Sequence, residues 1–193
     1  MPEPRLVEIR RVPLADIDDS KRLRPVSQVG VDALVASYNE LGVMKDPIDL
    51  RRTKAGKLVL LAGGHRMGMA RELGWPDIEA KIWTDVTDDW SLLMEIDDNL
   101  AGAEMNALDN AIFLATRKQV YEKMHPETRR GMAGGLARQG SASDIVSFAA
   151  STAEKFGVSK RHIERMVAAG AKLGSDEIDL LRGAPRAVSL KDL

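Results

Sequence analysis

The chain of 193 residues contains no cysteine. That absence excludes disulfides, zinc–thiolate centres and thiol nucleophiles. Aromatic residues make up only 4% of the chain, so a core has to be built from Leu, Ile, Val, Met and Ala. No apolar run approaches the roughly 20 residues that span a bilayer. The opening residues Met-Pro-Glu-Pro-Arg contain no apolar signal region, and the expected location is the cytoplasm, away from any membrane. The sequence shows neither an internal repeat nor a long low-complexity tract. It has no overall charge excess either, with a net charge of −1.

Charge is nevertheless unevenly placed. Thr84 to Ala111 holds eight acids (Asp85, Asp88, Asp89, Glu95, Asp97, Asp98, Glu104 and Asp109) and no Lys or Arg. Arg117 to Gly140 holds six bases against two acids, and Ser151 to Leu173 holds five against two. A basic second half is able to neutralise phosphates, and it also suits a solvated helix surface.

Hydrophobic periodicity predicts strands at Leu6–Val12, Pro47–Arg51, Lys57–Ala62 and Ile78–Trp83, with a turn at Thr53–Gly56. It predicts helices at Val31–Leu41, closed by Gly42, and at His65–Leu73, stopped by Gly74. Further helices are predicted at Asp88–Ile96 and Ala107–Met124, the latter with Ile112, Leu114, Ala115, Val120 and Tyr121 on an apolar face. Ala15–Pro25 reads as a loop. Gly131–Ser143 has the composition of a linker, and the chain turns helical again from Asp144. The order is α/β first and all-α second, with units expected at 1–105 and 106–193.

Two motifs carry chemistry. The stretch Ala149–Val167, AASTAEKFGVSKRHIERMV, has the spacing of a helix-turn-helix at about 149–168. Ala153 is small at a helix crossing, Gly157 supplies a left-handed turn, and Val158 is expected to anchor that turn in the core. Ser159 can N-cap the second helix, whose core positions are Ile163, Met166 and Val167. Ser159, Lys160, Arg161, His162 and Arg165 then face outward as DNA-binding candidates, since a recognition helix presents its N-terminal residues to base edges. A plain helical hairpin has much the same pattern.

The second motif is LVLLAGGHRMGMARELG, Leu58 to Gly74, a buried strand running through two glycines into a helix. Backbone amides, a helix N-terminus and the donors of His65 and Arg66 make Gly63, Gly64, His65 and Arg66 a phosphate-cradle candidate. The alternative is a tight turn with Arg66 paired to a nearby acid. The acids Asp88, Asp89, Asp97 and Asp98 fit a solvated helix face better than a Mg²⁺ seat. His125 reads as a loop residue. Trp75, Trp83 and Trp90 read as core or rim.

AGGHRMGMARELGW resembles the second box of ParB-type N-terminal domains, Gly-Glu-Arg-Arg-x-Arg-Ala-Ala. VDALVASYNELGVMKDPIDLRR resembles the family's helix-Gly-Val-x-x-Pro-Ile-strand box. Arg22–Pro25, RLRP, resembles its Gln-Pro-Arg loop, and Asp97–Ala111 its Glu-Asn-x-x-Arg-x-x-Leu box. YEKMHPETRRG is similar to the version in shorter phage-type members. The likeness spans about residues 6–190 and is closest to short phage- or plasmid-type members. It implies an α/β ParB/sulfiredoxin-like N-terminal domain followed by an all-α helix-turn-helix lobe. It also implies binding of double-stranded DNA, a homodimer, a ParA-type ATPase partner, and a site for CTP or another nucleotide with Mg²⁺ that includes Asn99.

The departures from those boxes bear on hydrolysis. Gly64 replaces the Glu, His65 an Arg and Gly68 a further Arg. Asp98 replaces a Glu, Gly102 an Arg and Leu23 the loop Gln. Nucleotide binding is therefore expected with weak or absent CTP hydrolysis, and no catalytic or metal-ligating residue is assigned. Sulfiredoxin has a Gly-Cys-His-Arg turn, and Gly64 standing where that cysteine would be excludes its chemistry. The expected role is partition or phage-type transcriptional regulation. The alternatives are a ParB-fold nuclease or phosphotransferase on the Gly63–Arg66 turn, and a protein-interaction module.

Overall fold

A computed structural model describes residues 3–20, 22–23, 25–101, 105–128 and 147–193. Arg24, Gly102, the stretch Gly131–Ser143 and the helical onset at Asp144 lie outside the described residues. The elements run β1 (Arg5–Pro13), β2 (Ile17–Asp18), α1 (Gln28–Leu41), β3 (Ile48–Arg52), β4 (Leu58–Ala62), α2 (Gly64–Glu72), β5 (Asp77–Thr84) and α3 (Asp88–Ala101). They continue with α4 (Ala107–Met124), α5 (Phe148–Phe156), α6 (Lys160–Gly170) and α7 (Ser175–Arg182). Two compact units divide the chain, Met1–Glu95 and Ile96–Leu193.

The first unit is built on a mixed five-stranded sheet in the order β1-β5-β3-β4-β2. β5 is antiparallel to β1 and parallel to β3, and β4 is antiparallel to β3 and parallel to β2. Alternation explains the core. Ile48, Leu50, Leu58, Leu60, Ile78, Ala80 and Ile82 point to one face and meet Met67 and Ala70 of α2. Trp75 packs against this cluster, edge-on to Tyr38 of α1 at 5.0 Å between ring centres.

Two local expectations are corrected. The Ala15–Pro25 stretch is not all loop, because Ile17 and Asp18 form β2 beside Leu58 and Val59. Two residues are too few to show a period, although Ile17 is buried. The Lys57 ammonium, helped by the Ser20 hydroxyl and amide, holds the Asp18 carboxyl well below the usual carboxylate range. α1 begins at Gln28, three residues before the apolar period, because Ser27 caps it by accepting from Gly30 N at 3.3 Å. In β1 only Val12 is buried, whereas Val7 and Ile9 are 45% and 53% exposed, since β1 is an edge strand.

The second unit packs α4, α5 and α6 around Ala111, Leu114, Phe148, Ala153, Ile163, Met166 and Val167. α6 lies so close to α4 that a Cβ on Gly170 would stand 2.1 Å from Ala111 O. α7 is tied to the start of α4 by Arg182 Nη2 donating to the buried carboxylate of Asp109 at 3.3 Å. Among the described residues no helix is long and apolar enough to cross a membrane.

Candidate functional site

β4 ends in Gly63, whose φ of 97° and ψ of 28° turn the chain sharply into α2. A side chain there would be strained, and its Cβ would stand 2.7 Å from Ile48 Cγ2. Gly64 and Gly68 are one helical turn apart and leave a groove on α2. A Cβ at Gly64 would meet Val26 at 3.0 Å, and one at Gly68 would meet Val31 at 2.7 Å. The two valines therefore occupy the space that larger side chains would need.

His65 and Arg66 have partners within the first unit. His65 Nε2 accepts from Ser27 N at 3.3 Å and lies 3.1 Å from Ser27 Oγ, so the ring helps hold the start of α1. Arg66 Nη1 donates to Asp46 O at 3.0 Å and to Pro47 O, clasping the chain just before β3. The turn thus brings Gly63, Gly64, His65 and Arg66 together, with these two side chains bonded to backbone groups of neighbouring elements.

Among the described residues, a cation that lies over the α2 N-terminus is Arg22. Its Cζ would lie 3.5 Å from a Cβ on Gly64. Its Nε is 3.4 Å from Glu95 Oε1, an ion-pair distance, yet this buried nitrogen has no hydrogen-bond partner. Glu95 Oε1 also accepts from Leu23 N at 3.1 Å, which fixes the loop. An orphaned guanidinium nitrogen beside a glycine-lined helix start fits a phosphate group. Arg22 belongs to the RLRP stretch, which was the available signal, but nothing in the local pattern distinguishes it from Arg24.

Asn99 sits on α3 in the second unit, half-buried, beside the exposed Asp98. Asp97 is engaged elsewhere, with Arg117 Nε at 2.8 Å and Lys155 Nζ at 2.5 Å. Asp88 receives Arg51 Nη1 at 2.6 Å. Among the described residues no three His, Asp or Glu side chains converge as a metal seat.

The second place of interest is the α5–α6 pair. Ser147 caps α5, which Gly157 ends at φ 65°. Ser159 caps α6 by accepting from His162 N at 3.1 Å. Ile163, Met166, Val167 and Gly170 are buried, while Ser159, Lys160, Arg161, His162, Glu164 and Arg165 are exposed on the other side. Lys160 is one turn from Glu164, 3.8 Å away. The expected burial of Val158 is wrong, since it is 40% exposed. Its N–H bonds Ala153 O at 3.0 Å to end α5, and Phe148, Ala153, Ile163 and Met166 already fill this core.

A buried residue missed in the sequence joins this pair to its neighbours. Arg117 is 5% exposed and bonds Asp97 on α3 and Thr152 Oγ1 on α5, both at 2.8 Å. The rings of Tyr121, Phe148 and Phe156 surround its guanidinium at 5.6–5.9 Å. The signal was its position three residues after Leu114 and three before Val120, on the apolar stripe of α4.

The ParB N-terminal domain family matches residues 4–100. The chain is 17% identical to the C-terminally truncated chromosome-partitioning protein ParB of Caulobacter crescentus, whose structure is complexed to the centromeric parS site. That likeness has a TM-score of 0.54 and covers 90% of this chain and 77% of that one. A pNOB8-like ParB N-domain is 13% identical at a TM-score of 0.59, over 86% of this chain and 70% of that one. These likenesses show a shared fold. No curated protein matches the chain.

Proposed function

The chain belongs to the ParB N-terminal domain family, and from that premise we propose that it binds duplex DNA through a helix-turn-helix made of α5 and α6. Its role is then that of a partition protein or a phage-type transcriptional regulator, acting as a dimer and with a ParA-type ATPase in the partition case. The observation that carries the reading is the exposed N-terminal turn of α6. Lys160, Arg161, His162 and Arg165 project from a helix whose opposite side is buried, and Ser159 caps its start. Arg161 suits guanine, which it can bind bidentately, and Lys160 suits phosphate.

Mobility shifts on a genomic fragment pool across a salt series test this. Affinity should fall steeply, with a log–log slope of about −0.9 per phosphate neutralised. Arg161→Ala should lose about 1–3 kcal/mol of discrimination between cognate and random DNA. Lys172→Ala, at an exposed position just beyond the C-terminal end of α6, should weaken both equally or neither. No shift at low salt removes the reading, and equal loss in both variants misplaces the recognition helix.

We infer further that the α2 N-terminus takes a nucleotide phosphate, with CTP the first to try. The backbone of Gly63–Arg66 and the guanidinium of Arg22 would hold it, while His65 and Arg66 keep the walls in place. A bound Mg²⁺–nucleotide would supply phosphoryl chemistry. This chain replaces with glycine the charged residues the family carries at positions 64 and 68, so hydrolysis is expected to be weak or absent. Loss of one charge-stabilising donor costs on the order of 10²–10³ in rate. Calorimetry with CTP and Mg²⁺ should show binding that Arg22→Lys weakens. A phosphate-release assay with DNA should stay near background, and brisk release would put an enzyme first.

A further inference from the structure

β1 is a nine-residue edge strand with one side occupied by β5. Among the described residues no strand pairs with its outer side. Proteins usually blunt such an edge with lysine, proline or a covering segment. Here the prolines stand at or beyond its ends, Pro4 and Pro13, and the strand has no lysine. Instead Leu6, Val7 and Ile9 are 45%, 45% and 53% exposed. The register shift lies between Leu6 and Glu8, which leaves Glu8–Pro13 regular.

The order of charges along this regular stretch indicates the partner. Two identical antiparallel strands related by a two-fold axis normal to the sheet must place one residue opposite its own copy. Centring on Glu8 opposes two glutamates, and centring on Arg10 or Arg11 opposes two arginines. Centring on Ile9 opposes two isoleucines, sets Glu8 against Arg10 of the second copy, and sets Arg10 against its Glu8. Glu8 and Arg10 lie 3.6 Å apart within the chain and are 38% and 43% exposed at the side chain, so each can turn from this neighbour to its counterpart on the second copy. Arg52 already lies against Glu8 within the chain and keeps its carboxylate at this edge.

We propose that β1 is a self-pairing edge through which two copies of this chain join their sheets, antiparallel and in register at Ile9. The pairing stands apart from the DNA-binding reading, because α6 takes no part in it.

Sedimentation velocity of the full chain over a concentration series should show a monomer–dimer equilibrium. Glu8→Arg and Arg10→Glu should each weaken it by roughly tenfold or more, because opposite charges become like charges in both symmetric pairs. The double exchange should restore it, which no misfolded variant would do. The cysteine-free background makes Ile9→Cys a clean reporter. It should form a disulfide-linked dimer under an added oxidant, while Leu180→Cys, at a site 76% exposed in the second unit, should not. Arg161→Ala should leave the dimer unchanged. A chain monomeric at hundreds of micromolar overturns the proposal, as does a dimer indifferent to the charge exchange or one that cross-links equally at both cysteines.

Discussion

Gly170→Ala is expected to destabilise the second unit by about 3 kcal/mol or more. Helix propensity alone favours the change by up to about 1 kcal/mol, since alanine is the better helix former. The contact decides against it. The added methyl would stand 2.1 Å from Ala111 O and 2.5 Å from Ala111 C, which are backbone atoms of α4 with no rotamer to move. α6 would have to lift from α4, opening the packing of Ile163, Met166 and Val167 around Ala111 and Leu114. For a unit of this size each kcal/mol moves the melting temperature by roughly 4–8 °C, so the shift should be about 12–24 °C downward. Thermal unfolding followed by circular dichroism would measure it. A melting temperature within about 3 °C of the parent would mean that the helices slide apart at little cost. DNA binding should fall with the folded fraction.

Arg117→Ala should rank close behind, at about 3–5 kcal/mol. The guanidinium is the hub of three elements, and its removal leaves the fully buried Thr152 hydroxyl without its donor. It also vacates the space between three aromatic rings. Asp97 would keep Lys155, but that lysine is 48% exposed, and a pair so open to water is worth at most about 1 kcal/mol. Arg117→Met tests which part dominates, since it refills the volume without the charge. If the ion pair and hydrogen bond are the main contribution, methionine should recover little. If packing dominates, it should recover most of the loss. Lys155→Ala should cost no more than about 1 kcal/mol. Urea midpoints for the three variants give the order, and Arg117→Ala no worse than Lys155→Ala would refute the role given to the buried network.

What could be read from the sequence and what could not divide along physical lines. β4 and α6 were legible because their signals are local. Five consecutive residues of LVLLA before two glycines read as a buried strand and a turn, and Ile163, Met166 and Val167 repeat at the helical period. Arg66 and His65 were legible as a cluster but not in their partners. A guanidinium serves a phosphate or a carbonyl equally well, and Arg66 reaches Asp46 and Pro47, 20 and 19 residues away. The His65–Ser27 contact spans 38 residues. In the sequence Arg117 is one base of a basic stretch, because Asp97 and Thr152 lie 20 and 35 residues from it. Val158 departs from its pattern for the opposite reason. The pattern of its neighbours was right, but the core was already full, and volume is not visible in a pattern.

The path of the chain through the sheet has a consequence for synthesis. β1 and β2 are separated by three residues, Leu14–Asp16, yet lie at opposite edges of the sheet. β1 has no neighbour until β5 is made, because its pairings run from Pro13 with Asp77 to Arg5 with Thr84, 64 and 79 residues apart. At roughly 5–20 residues per second, a ribosome takes about 3–16 s to supply that partner. Closing such a long loop is also the slow part of sheet assembly. For that interval the first strand out of the tunnel carries Leu6, Val7, Ile9 and Val12 with no native surface to cover them. Nascent chains on neighbouring ribosomes then compete with β5 for it, and the charges of Glu8, Arg10 and Arg11 disfavour registers that set like charges opposite one another.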